Sequence, residues 1–134
     1  MRKTLILVLL LLQGCASQGV RPLRDYEIAT APYRFGEAKP VLGTLMYERG
    51  CLLLLPDGQS GMLLPVWPTG TRFEESLVTF HQPGRADQRV VVGEEVRFDT
   101  LRLDWTSLDS AGFRPFHHQC GAVPVFITDV TPAN

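Results

Sequence analysis

The chain of 134 residues has little cysteine, little lysine and no long apolar run. Its longest uninterrupted apolar stretch, residues 5–12, is too short for a membrane-spanning helix, which needs about twenty residues. Thirteen Lys and Arg residues oppose fourteen Asp and Glu residues, and the basic residues are scattered. No basic patch suited to nucleic acid is present, so no nucleic-acid partner is expected. The sequence also lacks a phosphate-binding glycine loop and a dinucleotide fingerprint, so we expect no cofactor.

The first fifteen residues have the pattern of a secretory signal. Arg2 and Lys3 precede the apolar run, and a small residue, Gly14, stands directly before Cys15. The segment Leu12-Gln13-Gly14-Cys15 resembles the lipobox of bacterial lipoproteins. The resemblance implies cleavage after Gly14, attachment of diacylglycerol to the Cys15 sulfur and acylation of the new amino group.

The residue after the cysteine bears on the destination of such a lipoprotein. It is Ala16, whereas Asp at this place resembles an inner-membrane retention signal of Gram-negative lipoproteins. The resemblance therefore implies sorting to the outer membrane, with the protein facing the periplasm. Several acyl chains on one cysteine, at about 0.8 kcal/mol per buried methylene, would form a lasting membrane anchor. The alternative is an ordinary signal peptide cut near Ala16-Ser17, which would discard Cys15.

The other two cysteines form an even pair once Cys15 is assigned to lipid. An exported protein matures in an oxidising compartment, so we predict a disulfide between Cys51 and Cys120. Closing a loop of about 70 residues would stabilise the fold by about 4 kcal/mol in the chain-entropy description. The alternative is two free, buried thiols that behave as small apolar side chains.

Composition along the chain predicts three segments: a lipoprotein signal peptide at 1–14, a lipidated tether at 15–40 and a small β domain at 41–134. Gly, Pro and Ser interrupt the tether, and its 25 residues after the cysteine would reach about 80 Å if extended. Four large apolar side chains leave open whether part of the tether docks on the domain (Tyr26, Ile28, Tyr33 and Phe35).

The domain shows β-forming segments between turn signals and no strong helical period. The predicted strands cover 41–48, 51–55, 61–67, 77–81, 89–92, 95–98, 101–105 and 122–130. Pro65 places its strand at an edge or a bulge, and Gly93-Glu94 is a candidate tight turn between two strands. Residues 106–119 are predicted to form a loop. We therefore expect an all-β fold, either a small antiparallel barrel that loosely resembles OB-type barrels or a sandwich.

Candidate catalytic and metal groups are incomplete in the sequence. His81, His117 and His118 could supply zinc ligands, but adjacent histidines on an extended backbone point to opposite sides, and oxidised cysteines are lost as ligands. Ser60 lies in a Gly-Gln-Ser-Gly turn that lacks the spacing of a nucleophile elbow. We therefore predict no catalytic residue and no metal site.

Aromatic residues near turns are the remaining candidates for recognition. Trp67 precedes Pro and Gly, and Phe113 and Phe116 lie in the predicted loop, although such rings can equally close a small core. The sequence thus predicts an envelope lipoprotein that binds a protein or glycan partner, or serves as an accessory or structural subunit, without catalysis. The alternatives are a small envelope hydrolase that uses a His/acid pair, and a periplasmic inhibitor or immunity-type lipoprotein.

Overall fold

The computed structural model describes residues 19–108 and 110–133. The lipobox and Cys15 lie outside the described residues. Nine strands are formed: β1 (Ala29–Ala31), β2 (Lys39–Glu48), β3 (Cys51–Pro56), β4 (Leu63–Pro68), β5 (Arg72–Glu74), β6 (Leu77–Phe80), β7 (Gln88–Val91), β8 (Glu95–Arg102) and β9 (Val123–Pro132). A 3-10 turn (Trp105–Leu108) and one helix, α1 (Arg114–Cys120), lie between β8 and β9. In this part of the chain no helix has the length and apolar character needed to cross a bilayer.

Five of the strands close into a ring in the order β2-β3-β4-β9-β8. β2 pairs antiparallel with β3 and with β8, and β8 pairs antiparallel with β9. β4 contacts β3 at Leu63 and runs parallel to β9 from Leu63 to Val66, which completes the ring. The all-β prediction is confirmed, and a five-stranded ring is also the plan of OB-type barrels. The barrel is mixed, however, because the β4–β9 pairing is parallel where an antiparallel barrel was expected.

Gly43 is placed where β2 passes from one neighbour to the other. Residues 39–44 pair with β8 and residues 43–48 pair with β3. A Cβ atom on Gly43 would lie 2.6 Å from the carbonyl oxygen of Leu55. The missing side chain therefore permits the close backbone approach that this strand needs to join both halves of the barrel.

The inside of the barrel holds what we term the interior core. Its buried side chains are Leu45, Leu52, Leu54, Trp67, Phe98, Val125, Ile127 and Val130 from the barrel, joined by Phe73, Val78, Phe80 and Val90 from the second sheet, β5-β6-β7. Trp67 lies at the centre, and its ring makes edge-on contacts with Phe80 and Phe98 at centroid distances of 6.1 and 6.5 Å. The small sheet and the barrel thus share one core.

A second group of buried side chains, the outer layer, packs on the other face of β3 and β4. Successive residues of a strand point to opposite faces, so Leu53 and Leu64 lie outside the barrel while their neighbours lie inside. β1, the 3-10 turn and α1 cover this face. The predicted disulfide is confirmed here: Cys51 at the start of β3 is bonded to Cys120 at the end of α1, with 5.8 Å between their Cα atoms.

The expected tether requires a correction in its described part. Ala29–Ala31 form β1, which runs parallel to the end of β4, with Ala29 and Ala31 buried against it. The Tyr26 ring stacks on Tyr47 at 5.6 Å, and the Tyr26 backbone N–H donates to the Tyr47 hydroxyl. The folded unit therefore begins well before residue 41, because the apolar side chains of this segment complete the outer layer.

Two local predictions also differ from the structure. The loop predicted at 106–119 contains α1, which has Pro115 in its first turn and ends at the left-handed Gly121 (φ 65°). The predicted tight turn at Gly93-Glu94 forms, with the Glu94 N–H donating to the Val91 carbonyl, but the strands beside it, β7 and β8, belong to different sheets and do not pair. Pro65 lies in β4, an inner strand. β4 pairs with β3 only at Leu63, and its pairing with β1 begins at Val66. This interruption of the ladder accommodates a residue without an N–H group.

Candidate functional site

The three aromatic residues predicted for recognition do not form a surface site. Trp67 has no solvent exposure, because it points inward from β4. Phe116 is buried in the outer layer on the side of α1 that faces the barrel, and Phe113 is half-buried against the same layer. The recognition prediction is therefore wrong for Trp67 and Phe116, whose rings serve the two cores.

The histidines lie in separate environments. Nδ1 of His81 is 2.9 Å from Oδ1 of Asp87 on the surface, and the Thr71 hydroxyl beside this pair accepts the backbone N–H of His81 rather than bonding its ring. The His117 ring stacks on Trp105 at a centroid distance of 4.3 Å. Within residues 19–108 and 110–133, no three His, Cys, Asp or Glu side chains converge in a way that would hold a metal ion.

Asp57 and Glu95 are a close carboxyl pair on the barrel surface. Hydrogen bonding to Asp57, reinforced by its negative charge, raises the pKa of Glu95. Such a pair holds a proton more tightly than an isolated carboxyl does. It lies on an exposed edge between the β3–β4 turn and the start of β8, and we assign it no chemical role.

A β-bulge in β9 organises a different region. Asp129 pairs with Asp99 and Ile127 pairs with Thr100, so Thr128 is an extra residue in β9. The Thr128 hydroxyl donates to the Asp99 carbonyl at 3.1 Å. Bulges bend a strand and re-aim its side chains, often at the rim of a barrel.

Two loops are fastened to the bulge by side-chain hydrogen bonds. The Tyr33 hydroxyl donates to the Thr128 carbonyl oxygen at 3.1 Å, and the Gln82 side-chain amide donates to the same oxygen. These bonds join the β1–β2 loop and the β6–β7 loop to the barrel. Sequence separations of 95 and 46 residues show that only the folded chain brings these groups together.

Between these loops lies a cavity of about 240 Å³, which we term the bulge pocket. It is lined by Tyr33, Arg34, Phe35, Gly36, Gln82, Arg85, Asp99, Thr128 and Asp129. The Phe35 ring is 89% exposed and rests edge-on against Tyr33 at a centroid distance of 4.8 Å. The exposed ring supplies an apolar contact beside the polar groups of the cavity, a combination that can bind an amphipathic ligand.

The polar groups of the bulge pocket balance in charge. Two arginines, Arg34 and Arg85, stand with two aspartates, Asp99 and Asp129, and Nη1 of Arg85 is 3.6 Å from Oδ2 of Asp129. Gln82 is 5% exposed, and its Oε1 atom has no hydrogen-bond partner among the described residues. A buried acceptor without a donor costs about 1–3 kcal/mol, so it favours any donor that reaches it.

The bulge pocket and the entry of the N-terminal segment lie at opposite ends of the barrel. Asp99 pairs with Pro40 near the start of β2, whereas β2 ends at Glu48. Beside the Glu48 end of β2, the Gln119 side-chain oxygen accepts a hydrogen bond from the Leu23 backbone N–H. The Gln119 amide in turn donates to the Arg49 carbonyl in the β2–β3 turn. Eight residues of extended strand separate the two ends by about 26 Å.

Other surfaces are less suited to recognition. OB-type barrels bind ligands on the face of their second and third strands, but here β1 and α1 cover that face of β3 and β4. A larger groove of about 480 Å³ runs between β7 and the ends of β8 and β9, and its lining includes no aromatic ring. A groove of about 330 Å³ beside α1 includes Phe113 and Phe116, but these rings are half-buried and buried in the outer layer. The bulge pocket is therefore the best candidate site, and the sequence signal for it is Phe35, an apolar residue between Arg34 and Gly36.

Comparison of the chain with protein-family models, with curated proteins and with solved structures found no match.

Proposed function

We propose that this protein is a lipid-anchored binding module of the bacterial envelope, attached through Cys15 to the outer membrane and facing the periplasm. The observation that carries the proposal is the lipobox-like segment at 12–15 ahead of a disulfide-closed barrel, whose first strand begins at Lys39. A disulfide between distant elements suits an exported protein, because the cytosol keeps most thiols reduced.

The anchor and the fold together define an orientation. Leu23 is already fastened to α1 through Gln119, and it follows Cys15 by only eight positions. Whatever its conformation, that stretch spans at most about 28 Å. We infer that the β2–β3 turn end, where the chain enters, lies nearer to the lipid on average than the end that carries the bulge pocket.

The arrangement of polar groups favours binding over hydrolysis. The His81–Asp87 pair lies on the surface, and the nearby Thr71 hydroxyl is engaged with the backbone. The bulge pocket combines an exposed ring with balanced charges, which suits recognition of a partner. An inhibitor or immunity-type role would use the same anchor and barrel. Identifying the partner would distinguish that role from a binding or accessory role.

Mass spectrometry of the protein purified from membranes tests the anchor. The expected result is a mature chain that begins at Cys15 and carries acyl chains, with a Cys15→Ser variant that lacks them and leaves the membrane fraction. A mature chain that begins after Cys15 would overturn the proposal.

Energy transfer from labelled lipid headgroups tests the orientation. A dye at Glu48, beside the chain entry, should show markedly higher transfer than a dye at Glu37, in the loop beside the bulge pocket. Inserting about twenty Gly and Ser residues after Gly19 should remove the difference, because the domain would then tumble freely. Equal transfer at the two positions in the native-length chain would contradict the orientation.

A further inference from the structure

The exposed Phe35 ring gives the bulge pocket one flat apolar wall. Tyr33 makes an edge-to-face contact with the ring, which nevertheless stays 89% exposed beside the cavity. Aromatic faces carry partial negative charge and attract weakly positive C–H groups. A ligand with a flat C–H face therefore fits this wall better than a purely polar ion does.

The opposite wall offers hydrogen-bond groups of both kinds. The Arg85 guanidinium supplies donors, and the carboxylates of Asp99 and Asp129 supply acceptors. Hydroxyl groups both donate and accept, so a ligand with neighbouring hydroxyls can satisfy such a mixed set. Because two cations and two anions line the cavity, its charge favours a neutral ligand over a charged one.

Gln82 shapes the floor of the pocket without offering it an acceptor. Its side chain is more than nine-tenths buried, its amide N–H₂ donates to the Thr128 carbonyl, and its oxygen is itself shielded from solvent. A ligand in the pocket therefore meets the charged lining groups rather than the Gln82 oxygen.

The size of the cavity limits what enters it. At about 240 Å³ it is smaller than the usual drug-sized pocket of about 300–1,000 Å³, so it holds one ring. We propose that the bulge pocket binds a neutral saccharide, with one sugar unit against Phe35 and its hydroxyls facing Arg85, Asp99 and Asp129. This inference rests on the proposed binding function and names its ligand class.

Calorimetric titration of the full lipidated protein tests the inference. The protein is placed in phospholipid nanodiscs without sugar-based detergents, and maltotriose, cellotriose and chitotriose serve as probes. We expect at least one trisaccharide to bind with a Kd of about 1 mM or below. Phe35→Ala should weaken that binding about tenfold, since the stacking contact is lost.

Controls separate the pocket from the rest of the surface. Arg85→Ala, at another exposed lining residue, should also weaken binding, whereas Met62→Ala, an exposed apolar residue elsewhere, should leave it unchanged. Absence of binding by all three probes, or equal binding by the Phe35→Ala variant, overturns the inference. The Cys15 lipid is measured by mass on the same sample, so a failed titration with lipid present leaves the anchor proposal intact.

Discussion

The interior core and the outer layer are stabilised in different ways. A continuous ring of backbone pairing encloses the interior core, and its central side chains have no solvent exposure. The outer layer has the barrel on one side and only a three-residue strand, a 3-10 turn and a seven-residue helix on the other. A covalent bond, Cys51–Cys120, reinforces it. Strand pairing and a fully buried core thus stabilise the barrel, while the thinner layer that covers it also carries a crosslink.

The largest expected effect comes from the interior core. Phe98→Ala removes a fully buried ring that contacts Trp67, and we expect the free energy of unfolding to fall by about 4 kcal/mol. Denaturant titration measures this loss. Phe35→Ala is the matched control, because an equally large but exposed ring should change stability little. A loss below about 1 kcal/mol for Phe98→Ala would show that the barrel does not depend on this core.

Removing the disulfide should affect the outer layer selectively. In the Cys51→Ala/Cys120→Ala variant we expect a loss of about 3 kcal/mol, since the crosslink closes a loop with a sequence separation of 69. Amide hydrogen exchange should accelerate most in α1 and β1. The amides of β8 and β9 should exchange only through global unfolding, as in the wild type. Uniform loss of protection would mean that the two cores unfold as one unit.

The smallest effect concerns the ion pair near the chain entry. Hydrogen bonding to Arg21 lowers the pKa of Glu27 from 4.5 to about 2. A lowered folded-state pKa contributes stability above pH 4.5 that is lost as the pH falls toward 2. Arg21 is 47% exposed, so solvent screening reduces the contribution to about 1 kcal/mol.

The pH dependence of stability in Glu27→Gln checks this last prediction. Wild type and variant should differ near neutral pH and converge as the pH approaches 2. Arg24→Gln is the matched control and should change the pH dependence much less, because its hydrogen bond to Glu27 uses the backbone N–H and survives, and only the weakest Coulombic contribution to the lowered pKa of Glu27 is lost. A difference that persists unchanged at low pH would indicate that lost packing, rather than charge, explains the variant.

Local chemistry made much of the barrel predictable. The turn at Arg49-Gly50, where both residues have positive φ, and the apolar strand that starts at Cys51 were predicted from neighbouring residues alone. α1 was missed because seven residues with a proline in the first turn show no helical period; packing against β3 and the disulfide stabilise it. The turn at Gly93-Glu94 was also predictable from neighbouring residues, but a tight turn does not determine which sheet each flanking strand joins, and β7 and β8 join different sheets.

The two candidate sites, Cys15 and the bulge pocket, also differ in how far neighbouring residues alone predict them. The lipobox is a local motif, so the sequence alone suggests it. The bulge pocket requires Tyr33, Gln82 and Thr128, which three separate segments supply. Trp67 was a recognition candidate because Pro and Gly follow it, and Phe116 because it lies in the predicted loop. The direction of each side chain depends on the finished sheet and helix.

The position of β9 in the ring has a consequence for the order of folding. β9 is the last strand along the described chain, yet it pairs with both β4 and β8, and Leu63 meets its partner Val123 sixty positions later. Until β9 is available, the edges of β4 and β8 that it pairs with stay unpaired, and one side of the interior core stays exposed. Folding therefore waits for nearly the whole chain, and such non-local closure is slow. For the exported protein proposed above, this order of folding would keep the nascent chain unfolded during translocation.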